Sequence, residues 1–339
     1  TTLYGWEPQE FTPSGLPKLD ETILDGLDIP IADELREYLE VSKHLGMVSE
    51  GKHAWTKYLT DNPVTGMQHI HHSIGPTTVT HRHRHSHPNL GQVPAHTAHG
   101  KECRSVFTVP SGYRAVGSDA SGLELRCLAH YMAKYDDGAY GKVILEGDIH
   151  TTNQEAAGLE TRDQAKTFIY AYLYGAGDTK LGSIVDPRAS DRKQRQIGKE
   201  LRSRFETRIP ALGYLTADVK SAAETRGWLR LPDQRRVYIR HQHAALNSLL
   251  QGAGSLICKQ WQVNIHDEAL VAFGQNPGGS WGDFMVQMGW IHDEVQFAVI
   301  EEHVPEATKI LISSMERVTD QFGWRIPLAA EVQVGETWA

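Results

Sequence analysis

Residues 289–299 read GWIHDEVQFAV, and residues 263–273 read VNIHDEALVAF. Both stretches carry His-Asp-Glu after an isoleucine, and an acidic pair beside a histidine is a candidate site for a divalent cation. Their flanks separate the two copies. Ahead of the 289–299 copy, Phe284, Val286, Met288 and Trp290 alternate with other residues; after it, Val295, Phe297 and Val299 alternate again. Period two on both sides of a short turn predicts a β-hairpin with His292, Asp293 and Glu294 at its tip. Around the other copy, Ala253, Ile257, Trp261, Ile265, Ala269 and Phe273 recur every four residues, with no Gly or Pro between Ser255 and Phe273. That spacing predicts a helix, on which Asp267 and Glu268 are ordinary surface acids.

A hairpin tip holds a carboxylate rigidly and within reach of a ligand. One carboxylate alone is a poor Mg²⁺ site, because Mg²⁺ wants octahedral oxygen ligation. A partner is therefore expected. The stretch VGSDASGLELR (116–126) supplies it: Asp119 closes a predicted strand, just before a helix from about Leu123 to Tyr135. Two aspartates and the Ala120 carbonyl can hold two cations. Such a pair suits in-line phosphoryl transfer, one metal activating the attacking oxygen and the other neutralising the leaving group. Taken singly, Asp119 also reads as an N-cap.

The run from Asp148 to Asp178 adds a second element. Thr161 with Gln164 is a capping-box pattern, and Gly175 is a C-terminal stop. Between them Arg162, Lys166, Tyr170 and Tyr174 recur every four residues, so two cations and two aromatics share one helical stripe. A stripe of this kind can grip a triphosphate and then stack on a base. His150 is a further phosphate donor. The alternative is a solvated helix with a half-buried end.

Composition sets the frame. The chain has 339 residues and a formal charge of −8, which by itself argues against a polyanionic partner. Its distribution is uneven: residues 1–50 hold eleven acids against three bases, whereas residues 162–240 hold seventeen bases against nine acids. The basic segment is the footprint a polyanion needs, or else a solvated helical face. Cys103, Cys127 and Cys258 are far apart with no CxxC, and read as buried reduced thiols in a cytosolic protein. No apolar run reaches the roughly 20 residues that span a bilayer. Residues 1–30 read as loop, 31–60 as helical, 61–100 as histidine-rich loop and 150–246 as mostly helical, with turns at Gly175–Asp178 and around Gly227. Two strands follow position 284, then a helix near 304–321 and a short final strand. Strands flanking a helical middle predict an α+β fold with a helical insertion.

Three ordered motifs resemble those of family A (Pol I-like) DNA polymerases, in particular the replicative branch of short-tailed bacteriophages: DASGLELRCLAHYMAKYD (119–136), TRDQAKTFIYAYLYGAG (161–177) and IHDEVQFAV (291–299). PNLGQVP ahead of the first motif, and GDIHTTNQ and HAALNSLLQGAGSLICK between the motifs, lie in the family's order. The resemblance implies a right-hand fold: a palm with an antiparallel sheet, helical fingers, and a thumb mostly absent. It implies a thumb remnant and palm base at 1–60, palm at 61–130, fingers at 131–247 and palm again at 248–339. Asp119, Ala120 and Asp293 would bind two Mg²⁺ ions. Glu124 would be a steric gate against the ribose 2′-OH, packing on Tyr170. His150, Arg162 and Lys166 would hold the dNTP, with Lys166 also catalytic; Tyr170 would lie against sugar and base. Tyr174 would meet the template base. Arg82, His243 and Gln251 would read the minor groove of primer-template DNA, where acceptors occur in every base pair, and His292 would lie near the primer end.

The resemblance also carries departures. No DxE exonuclease motif leads the chain, and the match begins near the end of the family's thumb. The expectation drawn is the C-terminal subunit of a split phage polymerase in the host cytoplasm. A separate polypeptide would carry exonuclease and thumb, and through it a possible processivity factor. VTHRHRHSHPNL (79–90) replaces the family's usual Thr-Gly-Arg start. On an extended strand His81, His83, His85 and His87 would share one side, and Arg82 and Arg84 the other. A DNA-contacting loop is preferred there over a transition-metal site. Competing functions are a single-subunit RNA polymerase, against which Glu124 and HDE rather than HDS argue, and a non-catalytic DNA-binding replisome subunit.

Overall fold

Short pieces make up the first part of the chain. The computed structural model describes every residue except 1–3, 9, 21, 22, 25, 76, 96 and 279; the loop expectations at those positions lie outside the described residues. Helix α1 (Ala32–Leu45) runs into a π-helical turn at Gly46–Glu50. Two antiparallel pairs follow, β1 (Leu59–Asn62) with β2 (Met67–Ile70) and β3 (Ser73–Gly75) with β4 (Arg84–Ser86). Part of the expected histidine-rich loop is thus strand. These strands have three or four residues each, too few for a period-two pattern to stand out. The segment from His81 to His87 is not one extended strand either. His81 and His87 take φ of +62° and +56°, which bends the chain at both ends of β4.

After helix α2 (Gly100–Ser105) comes strand β5 (Tyr113–Ala120), then helix α3 (Leu123–Asp136). A helical run fills the middle: α4 (Ala139–Glu146), α5 (Ile149–Ala157), α6 (Arg162–Leu173), α7 (Asp178–Ser183), α8 (Asp191–Arg208) and α9 (Pro210–Arg226). The expected stops at Gly175 and Gly227 have φ of +78° and +74°, the left-handed conformation that glycine reaches without steric cost. A small hairpin, β6 (Trp228–Arg230) with β7 (Arg236–Tyr238), interrupts the helices before the long α10 (Ala245–Phe273). Strands β8 (Met285–Ile291) and β9 (Glu294–Ile300), helix α11 (Val304–Phe322) and strand β10 (Ala330–Gly335) complete the order.

The central sheet is antiparallel in the order β10-β5-β9-β8. Val116 of β5 and Val295, Phe297 and Val299 of β9 are fully buried, which the alternation in 295–299 demands. Helix α10 is buried along much of its length. Trp261 Nε1 donates to the Leu311 carbonyl at 2.9 Å, and buried Asn264 donates to the Ser314 carbonyl at 2.9 Å, so α10 and α11 are joined by satisfied polar groups inside an apolar contact. All three cysteines are free and buried. Among the described residues no helix is long and apolar enough to cross a membrane.

Candidate active site

The β8–β9 hairpin turns on two residues, His292 and Asp293, and Glu294 already belongs to β9. His292 has φ of +58°, uncommon for a residue with a β-carbon, and its carbonyl accepts from Trp290 Nε1 at 3.0 Å. β9 pairs with β5 in a register that sets Asp119 opposite Glu294. The Ala120 amide donates to the Asp293 carbonyl at 3.1 Å. The ends of two adjoining strands therefore bring Asp119 and Asp293 to one place. By contrast the acids of the 263–273 copy lie on α10, where Asp267 and Glu268 pair with Arg317 of α11.

The carboxylates repel one another. Partial burial, then the charges of Asp293, Glu294 and Glu124, push Asp119 up to about 7. Burial and Glu124 also raise Asp293. A cation would relieve this repulsion, and the donors are all oxygens, as Mg²⁺ prefers. Among the described residues there is no group of three or more His, Cys, Asp or Glu placed as a closed metal cage. The oxygen donors present would fit an Mg²⁺ ion that one or two carboxylates share with substrate phosphates and water. Glu294 is turned to other partners: it accepts from Gln296 Nε2 at 2.6 Å, from Arg104 at 3.5 Å and from Trp338 Nε1.

Helix α6 is built as its sequence predicts. Thr161 Oγ1 accepts from the Gln164 amide at 3.1 Å and the Gln164 side chain accepts from the Thr161 amide at 3.3 Å, closing the capping box. Ala165, Phe168, Ile169, Tyr172 and Leu173 bury the opposite face, leaving Arg162 and Lys166 exposed and Tyr170 half-buried. His150 of α5 faces the same stripe. Its ring lies 6.4 Å from that of Tyr170, and burial, then the charges of Arg162 and Lys166, lower its pKa. Burial, then Glu124, Asp293 and Asp119, raise the Tyr170 hydroxyl, so the stripe runs toward the carboxylates.

Glu124, near the start of α3, has only 15% of its side chain exposed. It accepts from the Tyr174 hydroxyl at 3.1 Å and from Arg82 at 3.5 Å. The hydroxyl bonded to Glu124 is that of Tyr174. α6 ends at Leu173, and Tyr174 is its C-cap, whose amide still donates to the Tyr170 carbonyl at 2.9 Å. Burial and Glu124 push that hydroxyl up to about 12. His292 is half-buried, with its pKa lowered by burial, Arg82 and His83. His243, in the short turn before α10, is exposed, and Gln251 on α10 is half-buried. Among the described residues neither is bonded to the acidic cluster.

The family model described as "DNA polymerase family A" matches residues 3–339. The chain belongs to DNA polymerase family A. It is 39% identical to a DNA-directed DNA polymerase of Enterobacteria phage T3, over 98% of this chain and 50% of that protein. It is 38% identical to the corresponding protein of Escherichia phage T7, over 99% of this chain and 50% of that one. A DNA polymerase I of Pseudomonas aeruginosa is 28% identical over 96% of this chain. The chain spans about half the length of the two phage proteins.

Two features of this family A member were not read from its sequence. Asp148 caps α5, accepting from the amides of His150 at 3.0 Å and Thr151 at 3.4 Å. It also accepts two bonds from Arg162, at 2.7 and 3.3 Å, which hold its carboxyl well below the usual range. Asp148 thus ties the two helices that carry His150 and Arg162. An Asp just ahead of a helix is a signal for the cap but not for the pair across helices. The second feature is where the histidines go. His83 packs edge-on to Trp290 with centroids 4.7 Å apart, and buried His85 lies 5.2 Å from His292 and 3.2 Å (Nδ1 to Nε2) from His72. Burial and the neighbouring imidazoles push His85 down to about 4. His83 and His85 pack against the β8–β9 hairpin through Trp290 and His292.

Proposed function

We propose that this chain is a template-directed DNA polymerase that adds dNTPs to a primer 3′-OH, with a palm formed by the central sheet and fingers by the helical middle. The observation that carries this reading is the convergence of Asp119 and Asp293 at the end of the His150–Arg162–Lys166 stripe. His150, Arg162 and Lys166 bind the triphosphate, and Tyr170 lies against its sugar and base. Asp119 and Asp293, with the Ala120 carbonyl, would hold two Mg²⁺ ions. Bound there, Mg²⁺ would supply activation of the primer hydroxyl and neutralisation of charge on the phosphates. Lys166 holds a proton at Nζ beside the leaving pyrophosphate. Glu124, fixed by Tyr174 and Arg82, fills the space a ribose 2′-OH would need. His292 lies beside Asp293 toward the primer end, and Arg82, His243 and Gln251 face the primer-template.

Incorporation of one labelled dNTP opposite a defined template base tests this directly. Templated addition that needs Mg²⁺ supports the reading; DNA binding without any addition supports the non-catalytic alternative. Preference for rNTPs would favour the RNA polymerase. Extension that stops after one or two nucleotides, and lengthens when a co-purifying polypeptide is restored, is the outcome the expected partner requires.

A further inference from the structure

The small β6–β7 hairpin has two unlike faces. Leu229 and Val237 point inward and are buried, Val237 against Gly252 of α10, where an added β-carbon would meet it at 3.1 Å. The outer face carries two cross-strand pairs: Trp228 opposite Tyr238 and Arg230 opposite Arg236. Like charges set directly opposite on a hairpin are unfavourable. No carboxylate relieves them: among the described residues Arg226, Arg230 and Arg236 have no acidic partner, and all three are exposed. They gather instead around one indole, their guanidinium carbons 5.8, 5.7 and 4.4 Å from the Trp228 ring centre. Tyr238 beside it is 62% exposed.

We propose that this outer face binds single-stranded DNA, the arginines taking phosphates and Trp228 and Tyr238 taking base faces. An aromatic pair edged by cations is what a sequence-tolerant single-strand platform requires. An acidic peptide would satisfy the arginines but leave the exposed Tyr238 ring without a use. The hairpin is also joined to the candidate DNA path. His81 Nε2 lies 3.3 Å from the Arg236 carbonyl, and the His81 carbonyl accepts from Ser255 and Lys259 at 2.7 Å each. The next residue, Arg82, reaches Glu124. The choice of DNA rests on the polymerase reading; the surface itself does not.

The test is equilibrium binding of a twelve-nucleotide thymidine oligomer to the full chain, without Mg²⁺ or dNTP, so that failed binding and failed catalysis are seen separately. The double variant Arg230→Gln/Arg236→Gln should bind about tenfold more weakly, with the salt slope smaller by about 1.4. Its Tm should stay level or rise, because a like-charge pair has gone; a purely structural role would lower it. Tyr238→Ala should weaken binding about tenfold with the salt slope unchanged. Unchanged affinity and slope in the double variant would overturn the proposal. So would tighter binding of a glutamate-rich peptide than of the oligomer, lost in the same variants.

Discussion

The amide of Ala120 donates to the carbonyl of Asp293 at 3.1 Å, pinning the end of β5 to the turn of the β8–β9 hairpin. Asp119 and Asp293 thus meet at one end of the two inner strands of the sheet although the chain between them contains the whole helical middle. The backbone bond means that neither carboxylate can shift far without breaking the ladder. Such rigidity is what a site for developing charge needs, since preorganised groups do not reorganise during reaction.

Proton linkage at Asp119 gives the first prediction. Its folded pKa of about 7 stands above the ordinary 3.8. In the metal-free protein this contribution to stability is fully present below 3.8 and is lost as pH rises through 7. Asp119→Asn should therefore raise the metal-free Tm by about 2 °C at pH 8, a modest effect because solvent screens the site, and by less at pH 5. Mg²⁺ binding runs the other way, since the ion displaces the proton. Mg²⁺ affinity should rise from pH 6 to pH 8, with proton release seen by calorimetry in buffers of different ionisation enthalpy.

Sugar discrimination should depend on Glu124 and on the residues that hold it. Glu124→Ala should admit rNTPs, by a factor of about a hundred if the gate supplies about 2.7 kcal/mol. Tyr174→Phe removes the hydroxyl bonded to Glu124 and should relax the same discrimination by less. Tyr170→Phe should instead reduce acceptance of dideoxynucleotides, because a hydroxyl beside the triphosphate can stand in for the missing 3′-OH. Competition between dNTP and rNTP at a single template position measures the first two effects; unchanged discrimination in Glu124→Ala would reject the gate.

Asp148 is predicted to act by placing Arg162. Their ion pair is about half exposed on both sides, so it adds little to stability. Asp148→Asn should leave Tm nearly unchanged and raise the KM for dNTP about tenfold, with a smaller effect on kcat. Steady-state kinetics on one primer-template separates these terms, and an unaltered KM would remove Asp148 from the dNTP site.

Much of the sheet and of the acidic site was legible because burial writes a period into sequence. Val295, Phe297 and Val299 form one apolar face of β9 in the core, with Gln296 and Ala298 buried on the other, and the fourfold repeat from Ala253 to Phe273 marks α10. Those two periods told the two His-Asp-Glu copies apart. The partnerships were harder to read. Arg162 meets Asp148 across two helices, which no single-helix spacing records. Tyr174 bonds Glu124 of α3, again a contact between two helices that the spacing of either one leaves out. Strands β1 to β4 are too short to show a period, and the bends at His81 and His87 break the alternation that would have sorted the histidines.

The most direct measurement compares Asp293→Asn with Asp267→Asn in primer extension, with Mg²⁺ and dNTPs supplied and DNA binding measured alongside. Asp293→Asn should lower incorporation by about a thousandfold while still binding primer-template, and Asp267→Asn should extend like the parent chain. Full activity in a folded Asp293→Asn, or loss of activity in a folded Asp267→Asn, would contradict this prediction.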